Sequence, residues 1–388
     1  MKLHIFNPEN DLALADGGAN YYPPPAALRI AHDLASLPLW FAEEDSTVLL
    51  PDAVHASYHA SLSDAFKLAA PYCESLKKRI TAIRPWGWSP QIKRRLKAMG
   101  FADNLFLADG KISKLRELSN RRTAISVLKT LKEHGIDTPE MPVYLTSPDD
   151  AANFVMSMPR SVVKAPWSGS GKGIMWGLGH VEVPLENFYK GVIKRQGGVV
   201  CERYLDSIQE FAMEFRSSDE GVSFAGYSLF ESEKGGYSGN LLASDAELEL
   251  ILSRHIPLET IRSVQENLLD VLSSLLSGSG YNGYLGVDMM IYRDAVGKVR
   301  LNPCMEINLR MNMGVAARMI YDRHVLPGKQ GYFFVKFHKK QGDALNEHAF
   351  NASRYPAVYT DNRISSGYQP LSPVCPESRY MAYIIVDE

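Results

Sequence analysis

Apolar positions fall into two patterns along this chain. Short β-branched runs bounded by turn residues predict strands at Leu3 to Phe6, Thr47 to Leu50 and Ile80 to Ile83. Between the first two, Leu28, Ala31, Leu34 and Leu37 recur at helical spacing, with Pro residues opening the segment and Pro38 closing it. The run from Pro90 to Gly100 begins with Pro and ends with Gly, as a short helix does. Strands alternating with helices predict a mostly parallel sheet in this first part. PWGWSP, at 85–90, stands at a strand end, where open α/β sheets bind ligands, with a packed aromatic turn as the plainer reading.

From Ser113 to His134 the spacing predicts helix, interrupted near Ser119 and Asn120, with Asn120 capping a second helix that carries Arg121, Arg122, Ile125, Leu128 and Leu131. Val143 to Leu145 predicts a strand, and Ser147-Pro148-Asp149-Asp150 a helix start. A helix at about 185–195 and an apolar strand from Gly198 to Leu205 follow. Phe211 to Arg216 and Val222 to Phe230 run like strands, and ESEKGGYSGN, 231–240, reads as a mobile loop. Residues 257–276 place Ile261, Val264, Leu268, Val271, Leu272 and Leu275 on one side of a helix. Tyr284 to Tyr292 and Lys298 to Ile307 predict paired strands that turn at Asp294 to Gly297. Beyond about 325 the pieces are short and suggest no chemistry.

At 388 residues the chain exceeds one simple core. With 42 basic and 44 acidic residues it has a net charge of -2, which gives no general attraction to nucleic acid or an anionic membrane. Any anion site must therefore be local. Cys73, Cys201, Cys304 and Cys375 form no C-x-x-C pair, which argues against a zinc site or disulfide framework and fits a reducing cytoplasm. No apolar run reaches the roughly 20 residues of a spanning helix.

Candidate chemistry centres on VVKAPWSGSGKG, Val162 to Gly173: a strand delivering Lys164, then a loop with Gly169, Gly171 and Gly173 whose backbone N–H groups can approach an anion. The P-loop pattern fails, because Pro166 and Gly173 stand where it needs Gly and Ser or Thr. Downstream, Glu306 and Asn308 are two apart and share one strand face, and Asp288 joins them if the last two strands form a hairpin. Three oxygen-bearing groups on one face suit Mg²⁺. A solvated polar strand face is the plainer reading, yet the neighbours are largely apolar. Arg310, two further on, has the forked donors that suit phosphate or carboxylate.

Together these residues resemble the ATP-grasp superfamily over about 112–315. The resemblance implies an α/β (α+β ATP-grasp) architecture: an amino-terminal α/β domain, 1–112, then grasp subdomains at 113–203 and 204–325 that clasp ATP, and a carboxyl-terminal segment, 326–388, packing on the grasp. It implies that Lys164, Ser168, Gly169, Ser170, Gly171 and Gly173 meet the phosphates. CERYLD would be the adenine hinge, with Glu202 and the backbone of Arg203 to Leu205 at the ring, and Glu210 would hold the ribose. Arg121 or Arg122 would be an upstream phosphate contact, and Asp288, Glu306 and Asn308 would ligate Mg²⁺. Two ions are implied, with Mn²⁺ able to substitute. The implied activity is a ligase joining a small-molecule carboxylate to an amine or thiol through an acyl phosphate, with Lys172 and Arg310 neutralising charge. The glycine loop and 231–240 would act as lids. No nucleic-acid or membrane partner is expected, and the oligomeric state stays open, a homodimer included. A kinase that phosphorylates a small molecule and a non-catalytic nucleotide-binding regulator are the alternatives.

Overall fold

A computed structural model describes residues 1–62, 65–169, 173–233 and 236–388. The first part carries a parallel four-stranded sheet, ordered Ala70–Pro71, Thr47–Val48, Lys2–Ile5, Ala82–Pro85. Leu3, Ile5 and Ile83 pack on Ile92 and Leu96 of the Pro90–Ala98 helix. The strand expected at Ile80 to Ile83 begins later, at Ala82, because Glu74–Arg79 winds into a 3₁₀ turn whose last carbonyls hold Ile80. Asn120 accepts a hydrogen bond from the Arg122 backbone N–H at 2.9 Å, but the residue at the helix N-cap is Arg121.

A second, antiparallel sheet runs Val143–Leu145, Val199–Arg203, Ser161–Lys164, Ile174–Gly177. The third has nine strands, in the order Val299–Asn308, Gly283–Arg293, Asp206–Ser218, Gly221–Glu233, Gly236–Leu242, Gly331–Phe337, Tyr380–Val386, Arg363–Pro370, Val358–Thr360. Two expectations change here. The described residues of the segment 231–240, expected as a loop, extend the ladder, with Phe230 paired to Asn240 and Glu231 to Gly239; positions 234 and 235 lie outside the described residues. The residues beyond 325 continue the same sheet, because Gly331–Phe337 pairs with Gly236–Leu242.

Period-2 alternation positions the site on the large sheet. On Asp206–Ser218 the odd residues Phe211, Met213 and Phe215 are buried, and on Gly283–Arg293 so are Leu285, Val287, Met289 and Ile291. These pack against Ile261, Val264, Leu268 and Leu272 of the Leu258–Leu276 helix and Val127, Leu128 and Leu131 of Arg122–Glu133. Strand geometry then sends the even residues to the opposite face. Leu268 is fully buried at this seam. Leu268→Ala is expected to cost about 3 kcal/mol, the usual range for an emptied core site, read as a lower urea midpoint at unchanged m-value.

Candidate active site

The even face forms one wall of a cleft. Across it, Glu214 stands opposite Gly286, which stands opposite Asn308; Ala212 stands opposite Asp288, which stands opposite Glu306. Ser228 joins the second row through Ala212. Asp288, Glu306 and Asn308 thus converge, with the Asn308 amide donating to Asp288 Oδ2 at 3.0 Å. Among the described residues no group of three or more His, Cys, Asp or Glu side chains forms a ready metal cage. Two carboxylates and an amide nevertheless fit Mg²⁺, which keeps water and takes its remaining oxygens from substrate phosphates. Desolvation, then the Glu306 charge, holds the Asp288 carboxyl above the usual range, and a cation is what would relieve both.

The opposite wall comes from the smaller antiparallel sheet. Lys164, at the end of Ser161–Lys164, is buried and ion-paired with Glu202 on the neighbouring strand. Arg121 is also buried: it donates to the Ala165 carbonyl and to Ser168 Oγ at 2.6 Å each, and to Glu306 Oε2 at 2.8 Å. Its Nε has no partner among the described residues. Of the two upstream arginines only Arg121 reaches the cleft; the Arg122 guanidinium lies over the Tyr144 ring. The loop base is fixed where Gln196 exchanges hydrogen bonds with the Trp167 backbone, at 3.0 and 3.2 Å. Ser170, Gly171 and Lys172 lie outside the described residues.

Arg310 reaches the cleft from beyond Asn308 and is held by Asp11 of the Asn10–Asp16 helix, through two bonds of 2.8 and 2.6 Å. Burial acts to lower its pKa, but Asp11, Glu306 and Asp288 together raise it. Arg121, Lys164, Ser168, Gly169, Glu210, Asp288, Glu306, Asn308 and Arg310 therefore share one cavity. Glu202, Arg203, Leu205 and Gly173 stand off its described wall; the Arg203 side chain turns out to Glu140 at 2.8 Å. Lining residues that the sequence reading missed include Asp11, Glu214, Asn240 and Asn312. Glu214 had a signal: it continues the Glu210, Ala212 alternation on a strand whose odd positions are apolar.

Glu214 is 1% exposed and accepts from Asn312 Nδ2 at 2.8 Å. Glycines on both sides admit it: a Cβ at Gly286 would lie 2.6 Å from Glu214 Oε2, and one at Gly314 would lie 2.2 Å from Oε1. Desolvation pushes its carboxyl up to about 8, against the Asn312 hydrogen bond. A carboxyl raised on folding stabilises the folded state below its unfolded pKa and loses that contribution as pH climbs through the folded value. The melting temperature of the ligand-free protein is accordingly expected to fall between about pH 5 and 8. Glu214→Gln, which fixes the neutral form, should flatten that slope in thermal unfolding at constant ionic strength.

No family model matches the chain, and no curated protein matches it. Solved structures do. N5-carboxyaminoimidazole synthetase from Staphylococcus aureus, complexed with ADP, superposes with a TM-score of 0.53 at 14% identity, over 100% of this chain and 93% of that one. Biotin carboxylase from Campylobacter jejuni, in a complex with β,γ-ATP, gives 0.53 at 12% identity, covering 100% and 87%. N5-carboxyaminoimidazole synthase from Aspergillus clavatus, with ADP and 5-aminoimidazole ribonucleotide, gives 0.51 at 11%, covering 100% and 94%. These likenesses span the whole chain and are likenesses of fold: with its parallel and antiparallel sheets, the fold is the ATP-grasp fold.

Proposed function

We propose that this protein is an ATP- and Mg²⁺-dependent ligase that activates a carboxylate as an acyl phosphate and joins it to an amine, releasing ADP and phosphate. The observation that carries this reading is the convergence of Lys164, Arg121 and Ser168 on one wall with Asp288, Glu306 and Asn308 on the other. The solved structures of this fold that hold ADP support the nucleotide assignment.

Phosphoryl transfer asks a protein mainly to position groups and to stabilise charge on the moving phosphoryl. Lys164 supplies a fixed charge, kept in place by Glu202. Arg121 joins the phosphate loop to the metal face, and Gly169 lets the backbone come close to the phosphates. Ser170, Gly171, Gly173 and Lys172 complete that cover in this reading. Glu210 is assigned to the ribose, and Glu202 with the backbone of Arg203 to Leu205 to the adenine. Asp288, Glu306 and Asn308 would hold Mg²⁺, which when bound withdraws charge from phosphate oxygens. Arg310, braced by Asp11, faces the reacting carboxylate. In the second step the amine nitrogen attacks the acyl carbon, the C–N bond forms, and the C–O bond to phosphorus breaks. Phosphate leaves with the electron pair and one proton from nitrogen.

In this reading the divisions fall at 1–112, 113–203, 204–325 and 326–388, two ions serve the site, and Mn²⁺ can replace Mg²⁺. The location is cytoplasmic, which four free cysteines support. No helix among the described residues is long and apolar enough to cross a membrane.

Glu306→Ala is expected to lower Mg²⁺-dependent ATP turnover by at least about 100-fold, the scale of one lost charge-stabilising group, with an unchanged circular dichroism spectrum. Lys164→Ala should reduce the thermal shift given by MgADP. Phosphate release measured against carboxylates and amines, singly and in pairs, separates the reactions. Release that needs both partners marks the ligase; ADP formation driven by one alcohol without free phosphate would mark a kinase instead.

A further inference from the structure

Charge is distributed unevenly along the cleft. Among its described lining residues the cations are Arg121, Lys164 and Arg310, and each already has a carboxylate partner in Glu306, Glu202 and Asp11 respectively. Arg121 and Lys164 lie on the phosphate wall. The inner end, past Arg310, is lined by Glu214, Ser228, Tyr237, Asn240, Asn312 and an apolar rim. The cation whose charge acts on Glu214 is Arg310, and Asp11 already pairs it.

Neutral groups are locked around Glu214. Asn312 gives its amide to Glu214 Oε2, and its own Oδ1 is taken by the Val315 backbone N–H at 2.8 Å. Asn240 donates to Ser228 Oγ and accepts from the Tyr237 hydroxyl. Glu214 takes one side-chain hydrogen bond, from Asn312, and its side chain is almost wholly withdrawn from solvent. A buried carboxylate held by one donor is costly unless a further donor or cation arrives. The rim of Ile30, Trp86, Phe230 and Met313 offers apolar surface to the body that carries such a cation.

We propose that this inner end is an ammonium subsite in which Glu214 receives the amino group of the second substrate, a primary amine on an apolar body that bears no phosphate. The proposal rests on the ligase reading above and names the amine it uses. A phosphorylated amine finds no unpaired cation among the described lining residues, since Asp11 already holds Arg310, and a phosphate stripped of water without a partner is disfavoured.

Calorimetric titration of the full chain with saturating Mg²⁺ and ADP tests this, with phenethylamine and hexylamine as probes against O-phosphoethanolamine. The wild-type chain is expected to bind both apolar amines and to bind O-phosphoethanolamine at least ten-fold more weakly. Glu214→Gln should weaken amine binding at least ten-fold, Glu214→Asp should retain part of it, and ADP affinity should be equal in all three chains, which verifies their fold. No amine binding by wild type, equal binding by Glu214→Gln, or preference for O-phosphoethanolamine overturns the subsite. The two readings separate. Amines that bind through Glu214 yet never stimulate phosphate release from ATP with any carboxylate remove the ligase and leave the subsite. Release stimulated by O-phosphoethanolamine equally in wild type and Glu214→Gln keeps the ligase and removes the subsite.

Discussion

The alternation of the Asp206–Ser218 strand is the constraint from which the site follows. Phe211, Met213 and Phe215 must be covered by the Leu258–Leu276 and Arg122–Glu133 helices, and that burial leaves Glu210, Ala212 and Glu214 no choice of face. A slip of one residue would turn three apolar side chains into the cleft and two carboxyl groups, Glu210 and Glu214, into the core. Pairing carries the same face onto Gly286 and Asp288, then onto Asn308 and Glu306. The hydrophobic core and the chemical wall are two sides of one register.

This is also why much of the molecule was legible in the sequence. Where an element is specified by its own alternation, as at Tyr284 to Tyr292 or the helix near 257–276, the observed bounds, Gly283–Arg293 and Leu258–Leu276, differ by a residue or so. Asp288, Glu306 and Asn308 could be grouped because two apart on a strand means one face. Part of the segment 231–240 misled because its glycines and serines resemble a loop, whereas the strand Gly236–Leu242 is set by partners distant in sequence, Gly331–Phe337 among them. The strands beyond 325 were illegible for the same reason.

The residues that escaped notice share another property. Asp11 reaches Arg310 across 299 positions of chain, and Asn312 reaches Glu214 across 98. No local pattern encodes such a pairing. The acids of these pairs, Asp11 and Glu214, carry no mark in the sequence of the partner each will meet. Only the closing of the amino-terminal sheet on the large one, and the two glycines that make room at Gly286 and Gly314, turn them into parts of a cavity.

Arg121 has one guanidinium and two allegiances: to Ser168 and Ala165 after the Ser161–Lys164 strand, and to Glu306 on the large sheet. Whatever draws Glu306 away alters how firmly Ser168 is moored, and whatever rests on Ser168 alters the hold on Glu306. By thermodynamic reciprocity the two influences are equal in size. The two walls of the cleft thus answer to each other through a single side chain.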